Sequence, residues 1–376
     1  MTKSDRWLLP EGIEEVLPEK AARLEALRRS LLDMYTSWGY EMVMPPFIEY
    51  LESLLTGTGH DLELQTFKLT DQLTGRMMGV RADMTPQVAR IDAHQLKRET
   101  PTRLSYMGTV LHTRSDGFAG SRSPLQVGAE LYGHSGVESD VEILSLMLET
   151  LAVANIDKPY LDLGHVGIFR GLAQQAGLTE AQESELFDAL QRKATVELNQ
   201  LVSQWQLDSN VSDMLIALAT LNGGIQVLDK AASVLSTAND SVKDALANLK
   251  AIATQISTRF DVQVNFDLAE LRGYNYHTGV VFSAYVAGQG QAVAQGGRYD
   301  DIGQVFGRAR AATGFSTDLK NLVETYQSVE NSGAIFAPCI EEDKGLVNTI
   351  AELRQQGERV ICELPGQTGN SKDMGC

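Results

Sequence analysis

Residues that could recognise a small polar ligand gather in three short segments. In residues 79–90, GVRADMTPQVAR, Asp83 and Thr85 set a carboxylate and a hydroxyl near a strand end, a pairing suited to an ammonium group. A Thr-Pro helix start capped by Asp83 would use the same residues structurally. Gln126, Gly128 and Glu130 form a Q-x-G-x-E run, whose plainer reading is a strand pair satisfied internally. Residues 272–282, RGYNYHTGVVF, bring Arg272, Tyr276 and His277 together; alone they would read as a β-hairpin with aromatic packing and an exposed arginine. Other chemistries are not written in the chain. The glycine-rich spots at 56–59 and 287–290 lack phosphate-loop spacing and the strand–G-x-G-x-x-G–helix context. There is no H-E-x-x-H, and His60, His94, His134 and His165 are dispersed, which predicts structural roles and no metal site.

These segments need a scaffold, and the composition permits a large one. The 376 residues suffice for two or three domains, with 43% hydrophobic and 22% charged residues, ordinary for a soluble globular protein. The net charge of −17 opposes phosphate backbones, so tRNA is not an expected partner. Cys339, Cys362 and Cys376 form neither a disulfide framework nor a C-x-x-C site, as expected in a reducing cytoplasm. No signal peptide or long apolar span is visible, so no membrane role is expected.

The periodicity supplies the elements. Leu24, Leu27, Leu31 and Tyr35 recur at helical spacing, with a stop near Gly39 and a short strand over 41–46. Between 170 and 260 the chain reads as helical. Thr179 and Gln182 fit a capping box; Leu186, Leu190, Leu198, Leu201 and Trp205 follow, and Val242, Leu246, Leu249, Ile252 and Ile256 form a later stripe. From Asp261 a period of two predicts strands over 262–268, 279–286 and 291–294, paired antiparallel as neighbours. The tail predicts a strand over 334–336, a helix around 346–353 and a strand over 359–364, one βαβ unit.

Together these segments resemble the histidyl-tRNA synthetases of class II. Residues 272–282 are similar to the histidyl-specific R-G-L-D-Y-Y-T-G, with His277 where the family has a second tyrosine, and residues 79–90 resemble L-R-P-E-x-T. The helix, strand and proline pair before Phe47 resemble motif 1, which builds the family's dimer interface. Residues 103–133 resemble motif 2, where the family writes Y-x-G-x-x-F-R-x-E and then Q-x-G-x-E. The second half is kept, but the first has become Leu111, His112, Thr113 and Arg114. Residues 296–322 resemble motif 3, yet its ending G-F-x-x-G-x-E-R-L has become Gly314, Phe315, then Asp318, Lys320 and Asn321. In the family those two arginines hold ATP, and neither histidine nor asparagine offers a planar, always-charged, bidentate donor set. Losing one preorganised donor typically costs about 10²–10³ in rate, so no adenylate formation is expected from a chain lacking both.

The resemblance implies an α+β fold: a class II synthetase-like antiparallel sheet flanked by helices, with a helical insertion and a short C-terminal α/β segment. The core would span 1–169 and 261–325, the insertion 170–260 and the βαβ segment 331–376. It implies that Glu130 accepts a hydrogen bond from a ligand imidazole and that Gln126 reaches the ligand's amino or carboxylate group. Arg272 would face a carboxylate or phosphate, and Tyr276 and His277 would line the imidazole pocket. A histidyl-like core without the ATP arginines and with a shortened tail resembles the ATP phosphoribosyltransferase regulatory subunits. That implies a cytoplasmic, non-catalytic chain without a cofactor. It would assemble with itself and with a short-form catalytic subunit, with L-histidine as effector. A divergent synthetase, a stand-alone histidine sensor and a tRNA-binding decoy are the rival readings; pyrophosphate exchange, indifference to a phosphoribosyltransferase and salt-sensitive tRNA binding would mark them in turn.

Overall fold

A computed structural model describes residues 7–57, 60–115, 120–271, 273–274, 276–327, 333–339, 343–367 and 371–372. Its strands, in chain order, are β1 (Glu41–Met42), β2 (Ile48–Tyr50), β3 (Phe67–Thr70), β4 (Met77–Val80), β5 (Thr102–Thr109), β6 (Leu125–Tyr132) and β7 (Tyr160–His165). Then come β8 (Asn222–Gly223), β9 (Gln263–Asp267), β10 (Val280–Tyr285), β11 (Ala294–Arg298), β12 (Ala312–Asp318), β13 (Ile335–Ala337) and β14 (Val360–Cys362). Nine strands form one sheet in the order β1-β5-β6-β12-β11-β10-β7-β9-β8, and β2-β4-β3 form a small antiparallel sheet. The large sheet is antiparallel except where β1 runs parallel to β5 and β7 to β9.

One expectation about this sheet is corrected. The strand at 262–268 does not lie beside the one at 279–286, because β7 sits between β9 and β10. The helices between β7 and β9 make a long crossover, and a crossover of that length delivers β9 parallel to β7. A second correction is that the strand expected at 291–294 begins only at Ala294 and continues through Gln295, Gly296, Gly297 and Arg298. Those glycines hid the strand from a propensity reading, but the sheet needs them. A Cβ on Gly296 would stand 2.1 Å from the carbonyl oxygen of Gly314 on β12.

The helices follow the expected stripes. Pro18–Ser37 buries Leu24, Leu27, Leu31 and Tyr35. Thr179 and Gln182 cap each other reciprocally at the start of Glu180–Gln191. Val242, Leu249, Ile252 and Ile256 are buried along Asp240–Arg259. Helix Val137–Val153 is apolar on most sides and buries Val141, Ile143, Leu144, Met147, Leu148 and Leu151 in the main core. Its Asp140, 1% exposed, pairs with Arg298 at the end of β11, the guanidinium nitrogen lying 2.9 Å from the carboxylate. Arg298 also donates to Ser139 Oγ at 2.7 Å and to the His134 carbonyl at 3.3 Å. That pair ties the helix to the strand that forms one wall of the site.

The chain divides into two compact units, Met1–Gln327 and Ser328–Cys376. In the second, β13 and β14 pair in parallel across helix Lys344–Gln355, whose N-terminus Asp343 caps by accepting from the Gly345 and Leu346 N–H groups. Among the described residues no helix is long and apolar enough to cross a membrane.

Removing one partner of a buried ion pair costs up to about 3–5 kcal/mol, and without Asp140 the buried Arg298 would keep only the more exposed carboxylate of Asp300, at 3.2 Å. Asp140→Asn should therefore lower the midpoint of denaturant unfolding by far more than a surface change such as Asp229→Asn, whose lysine partner is exposed.

Candidate ligand-binding site

A cavity of about 120 Å³ opens between β6, β10, β11 and β12, lined by Asp83, Thr85, Glu130, Tyr276, His277 and Tyr299 among others. Glu130 forms its base. It sits on β6, is 1% exposed and is opposite Gly314 in the β6–β12 ladder. That glycine has a steric reason: a Cβ there would fall 1.4 Å from Glu130 Oε2. The glycine of Q-x-G-x-E does the same for Tyr106, because a Cβ on Gly128 would lie 2.5 Å from the Tyr106 hydroxyl. Both glycines are where the backbone must leave room for a polar side chain.

The carboxyl of Glu130 receives three hydroxyls. Tyr106 Oη donates to Oε1 at 2.8 Å, Thr85 Oγ1 to Oε1 at 3.2 Å, and Tyr299 Oη to Oε2. Burial opposes these donors and, with the nearby Asp83 carboxylate, pushes the Glu130 carboxyl up to about 8. Tyr106 and Tyr299 are raised far above their ordinary value by the same burial and by Glu130 itself, so both remain hydroxyl donors. Burial thus holds the Glu130 carboxyl well above the ordinary carboxylate range.

The other expected residues take distinct places. Asp83 and Thr85 lie on the cavity wall at the start of helix Thr85–Arg90, and Asp83 Oδ1 accepts the Thr85 N–H at 3.1 Å. Gln126 stands one layer back: its amide donates to Asp83 Oδ1 at 2.7 Å and accepts from the Met84 N–H at 3.0 Å, which fixes the Asp83 carboxylate. Tyr276 and His277 meet with ring centroids 4.1 Å apart; His277 is buried and Tyr276 half exposed. Gly273, with φ +67°, lets the loop fold back on them, since a Cβ would lie 2.6 Å from His277 Nδ1. Arg272 lies outside the described residues, as do residues 116–119 of the motif 2 loop. Tyr106 and Tyr299 were missed as site residues. Their signals were the Y-x-G of motif 2 and the tyrosine after Gly296-Gly297-Arg298.

His112 is half-buried, and its Nε2 lies 2.8 Å from the Ala82 carbonyl oxygen. Its backbone is held too, the N–H donating to Arg122 O at 2.9 Å and the carbonyl accepting from Arg122 Nε at 3.1 Å. Lys320 points to Ser123 Oγ at 3.2 Å and to Glu14 at 3.5 Å. Of the two positions that carry the ATP arginines in the synthetases, His112 is held by an internal bond and Asn321 is exposed. His165 has a structural role: it caps helix Val166–Ala176 through Nδ1, and burial lowers it to about 4. No group of three or more metal-ligating side chains occurs among the described residues.

Comparison with known proteins decides the family. Residues 12–322 match the histidyl-tRNA synthetase family, and residues 332–376 match the ATP phosphoribosyltransferase subunit HisZ C-terminal domain. The chain is 61% identical to an ATP phosphoribosyltransferase regulatory subunit of Thioalkalivibrio sulfidiphilus, over 100% of its own length and 96% of that protein. The chain belongs to the ATP phosphoribosyltransferase regulatory subunits. A relative of the same description in Nitrosococcus oceani is 57% identical, over 100% of this chain and 94% of that one. Among solved structures, one described as an ATP phosphoribosyltransferase regulatory subunit/histidyl-tRNA synthetase from Bacillus halodurans aligns with a TM-score of 0.85 and 27% identity, covering 98% of this chain and 95% of that one. The histidyl-tRNA synthetase of a Nostoc species, 19% identical over 98% of this chain and 88% of its own with a TM-score of 0.78, shares the fold. The class II synthetase-like architecture expected from the motifs is therefore the observed one.

The sign of the pH dependence follows from Glu130. Its folded value of about 8 exceeds its ordinary 4.5, so the folded state binds the proton more tightly than the unfolded chain. The stability this confers is complete below the ordinary value and is lost as pH rises through 8. Ligand-free unfolding should show the wild type losing stability across that window relative to Glu130→Gln, whereas parallel curves would mean an ionised carboxylate.

Proposed function

We propose that this chain is the regulatory partner of a short-form ATP phosphoribosyltransferase catalytic subunit in the first step of histidine biosynthesis, and that the Glu130 pocket senses free L-histidine. The observation that carries the second half is a buried, proton-holding carboxyl at the base of an aromatic-walled cavity with a second carboxylate at its wall. A volume of about 120 Å³ is well below the roughly 300–1,000 Å³ of pockets for drug-sized ligands, which suits a single amino acid. Asp83 and Thr85 take the ammonium group, with Gln126 holding Asp83 in place. Glu130 takes the imidazole, with Tyr276 and His277 lining the pocket beside it, and Arg272 takes the carboxylate. None of these groups needs a metal or a cofactor.

Family membership also supports the remaining expectations. Self-association through the motif 1 region is favoured by Met44, Phe47 and Ile48, which are exposed beside the edge strand β1. The helical segment 170–260 is an insertion into the synthetase-like core, and the assembly is cytoplasmic. Regulation requires that histidine bind two states of the assembly with different affinity, the catalytic subunit being active in one of them.

Glu130 gives the pocket a characteristic pH response. An unperturbed imidazole titrates near 6.5, below the 8 of the empty-site carboxyl. Between those values the proton on Glu130 passes to the incoming ring and an imidazolium–carboxylate pair forms with no exchange with solvent. Below the window a proton must be released, and above it one must be taken up. Histidine affinity should therefore be flat from about pH 6.5 to 8 and fall on either side. Glu130→Gln should weaken it about 10- to 100-fold and abolish the alkaline limb.

The functional reading is tested by the initial rate of a short-form catalytic subunit alone, with this chain, and with added histidine. Activation by the chain that histidine reverses in the wild type but not in Glu130→Gln is expected. Activation that histidine leaves untouched would contradict the pocket's role, and no activation would contradict the partnership.

A further inference from the structure

The loop that carries Tyr276 and His277 is held from two sides. At the front, the Thr278 N–H donates to the Arg298 carbonyl at 2.7 Å, and Thr278 Oγ1 accepts from the Asp300 N–H at 2.9 Å. This end is fixed by the same β11 terminus that Asp140 anchors. At the back, one nitrogen of Arg170, on helix Val166–Ala176, donates to the carbonyls of both Tyr274 and His277, at 3.1 and 3.2 Å. The guanidinium also lies 4.8 Å from the centre of the Tyr274 ring. Tyr274 is buried and packs against Phe169 and Phe187, with centroids 5.4 Å away in each case. Its hydroxyl donates to Glu183. Phe187 and Glu183 both lie on helix Glu180–Gln191. A partly buried chain of contacts therefore runs from the pocket wall through Arg170 and Tyr274 into the helical segment.

Neither Arg170 nor Tyr274 is among the residues that line the cavity. Arg170 holds backbone carbonyls rather than a ligand, and a guanidinium is suited to the task because it can stack on a ring while donating in its plane. Without it, two carbonyls on the pocket loop lose a charged donor, and the Tyr276–His277 wall loses its backing. Ordering that wall around a ligand must also order Tyr274, and through the hydroxyl bond to Glu183 the next helix. We propose that Arg170 is a positioning residue that sets the ligand affinity of the pocket. The Tyr274–Glu183 pair then makes helix Glu180–Gln191 the first element to register occupancy. This inference rests on the reading of the pocket as an L-histidine site.

The test is calorimetric titration of L-histidine into the full-length chain, with hydrogen exchange followed over residues 180–191. The wild type should bind, and binding should slow exchange in that helix. Arg170→Ala should lose about tenfold or more in affinity, as expected for two charge-assisted bonds, and Arg170→Lys should recover part of the loss. Tyr274→Phe keeps the ring packing and removes only the bond to Glu183. It should bind histidine within a few-fold of wild type yet show no ligand-dependent slowing in 180–191, and it carries the test should Arg170→Ala fail to fold. Wild-type affinity in Arg170→Ala, or undiminished slowing in Tyr274→Phe, would overturn the inference while leaving the histidine site intact. A wild type that does not bind histidine would remove the site and the inference with it.

Discussion

A buried carboxyl group held by hydroxyls is the constraint around which this site is organised. Among the described residues the Glu130 carboxyl has the hydroxyls of Tyr106, Tyr299 and Thr85, and an acidic neighbour in Asp83. Hydroxyl donors offset only part of the penalty of burying a charge. That penalty raises the Glu130 carboxyl to about 8. The glycines at 128 and 314 follow from the same need, since no other residue lets two adjacent strands close over Tyr106 and Glu130.

The same scaffold explains what was lost along with synthetase chemistry. Positions 112 and 321 are His and Asn, the His112 ring bonds a main-chain carbonyl, and Lys320 faces Ser123 and Glu14. The buried polar network around Glu130 is thus present, while the two ATP arginines of the synthetases are replaced by His112, bonded to a main-chain carbonyl, and an exposed Asn321. On the proposed reading, a chain that binds histidine without activating it reports on its concentration, as a regulatory subunit of a biosynthetic enzyme requires.

Much of this was legible before the structure, and the gaps have physical causes. Asp83, Thr85, Glu130, Tyr276 and His277 could be read from motifs, because short sequence spacing places them within single strands and turns. Tyr106 and Tyr299 could not be read as donors to Glu130. They reach it across strand pairs, and register between strands distant in sequence is set by tertiary packing. Gln126 shows the limit of motif reading: the residue was visible, but its place behind Asp83 depends on two hydrogen bonds to another segment. The neighbours of β10 were misplaced for a related reason. Periodicity identifies a strand but not its partner, and here a helical crossover inserts β7 between β9 and β10.

The claim that joins these observations is that Glu130 gives its proton to a bound imidazole. It is tested most directly by nitrogen magnetic resonance of ring-labelled histidine bound to the wild-type protein at a pH between the ring's ordinary 6.5 and the 8 of Glu130. The account predicts an imidazolium, both ring nitrogens protonated, in a solution where free histidine is mostly neutral. A bound ring with one unprotonated nitrogen would contradict it and leave Glu130 as a neutral donor.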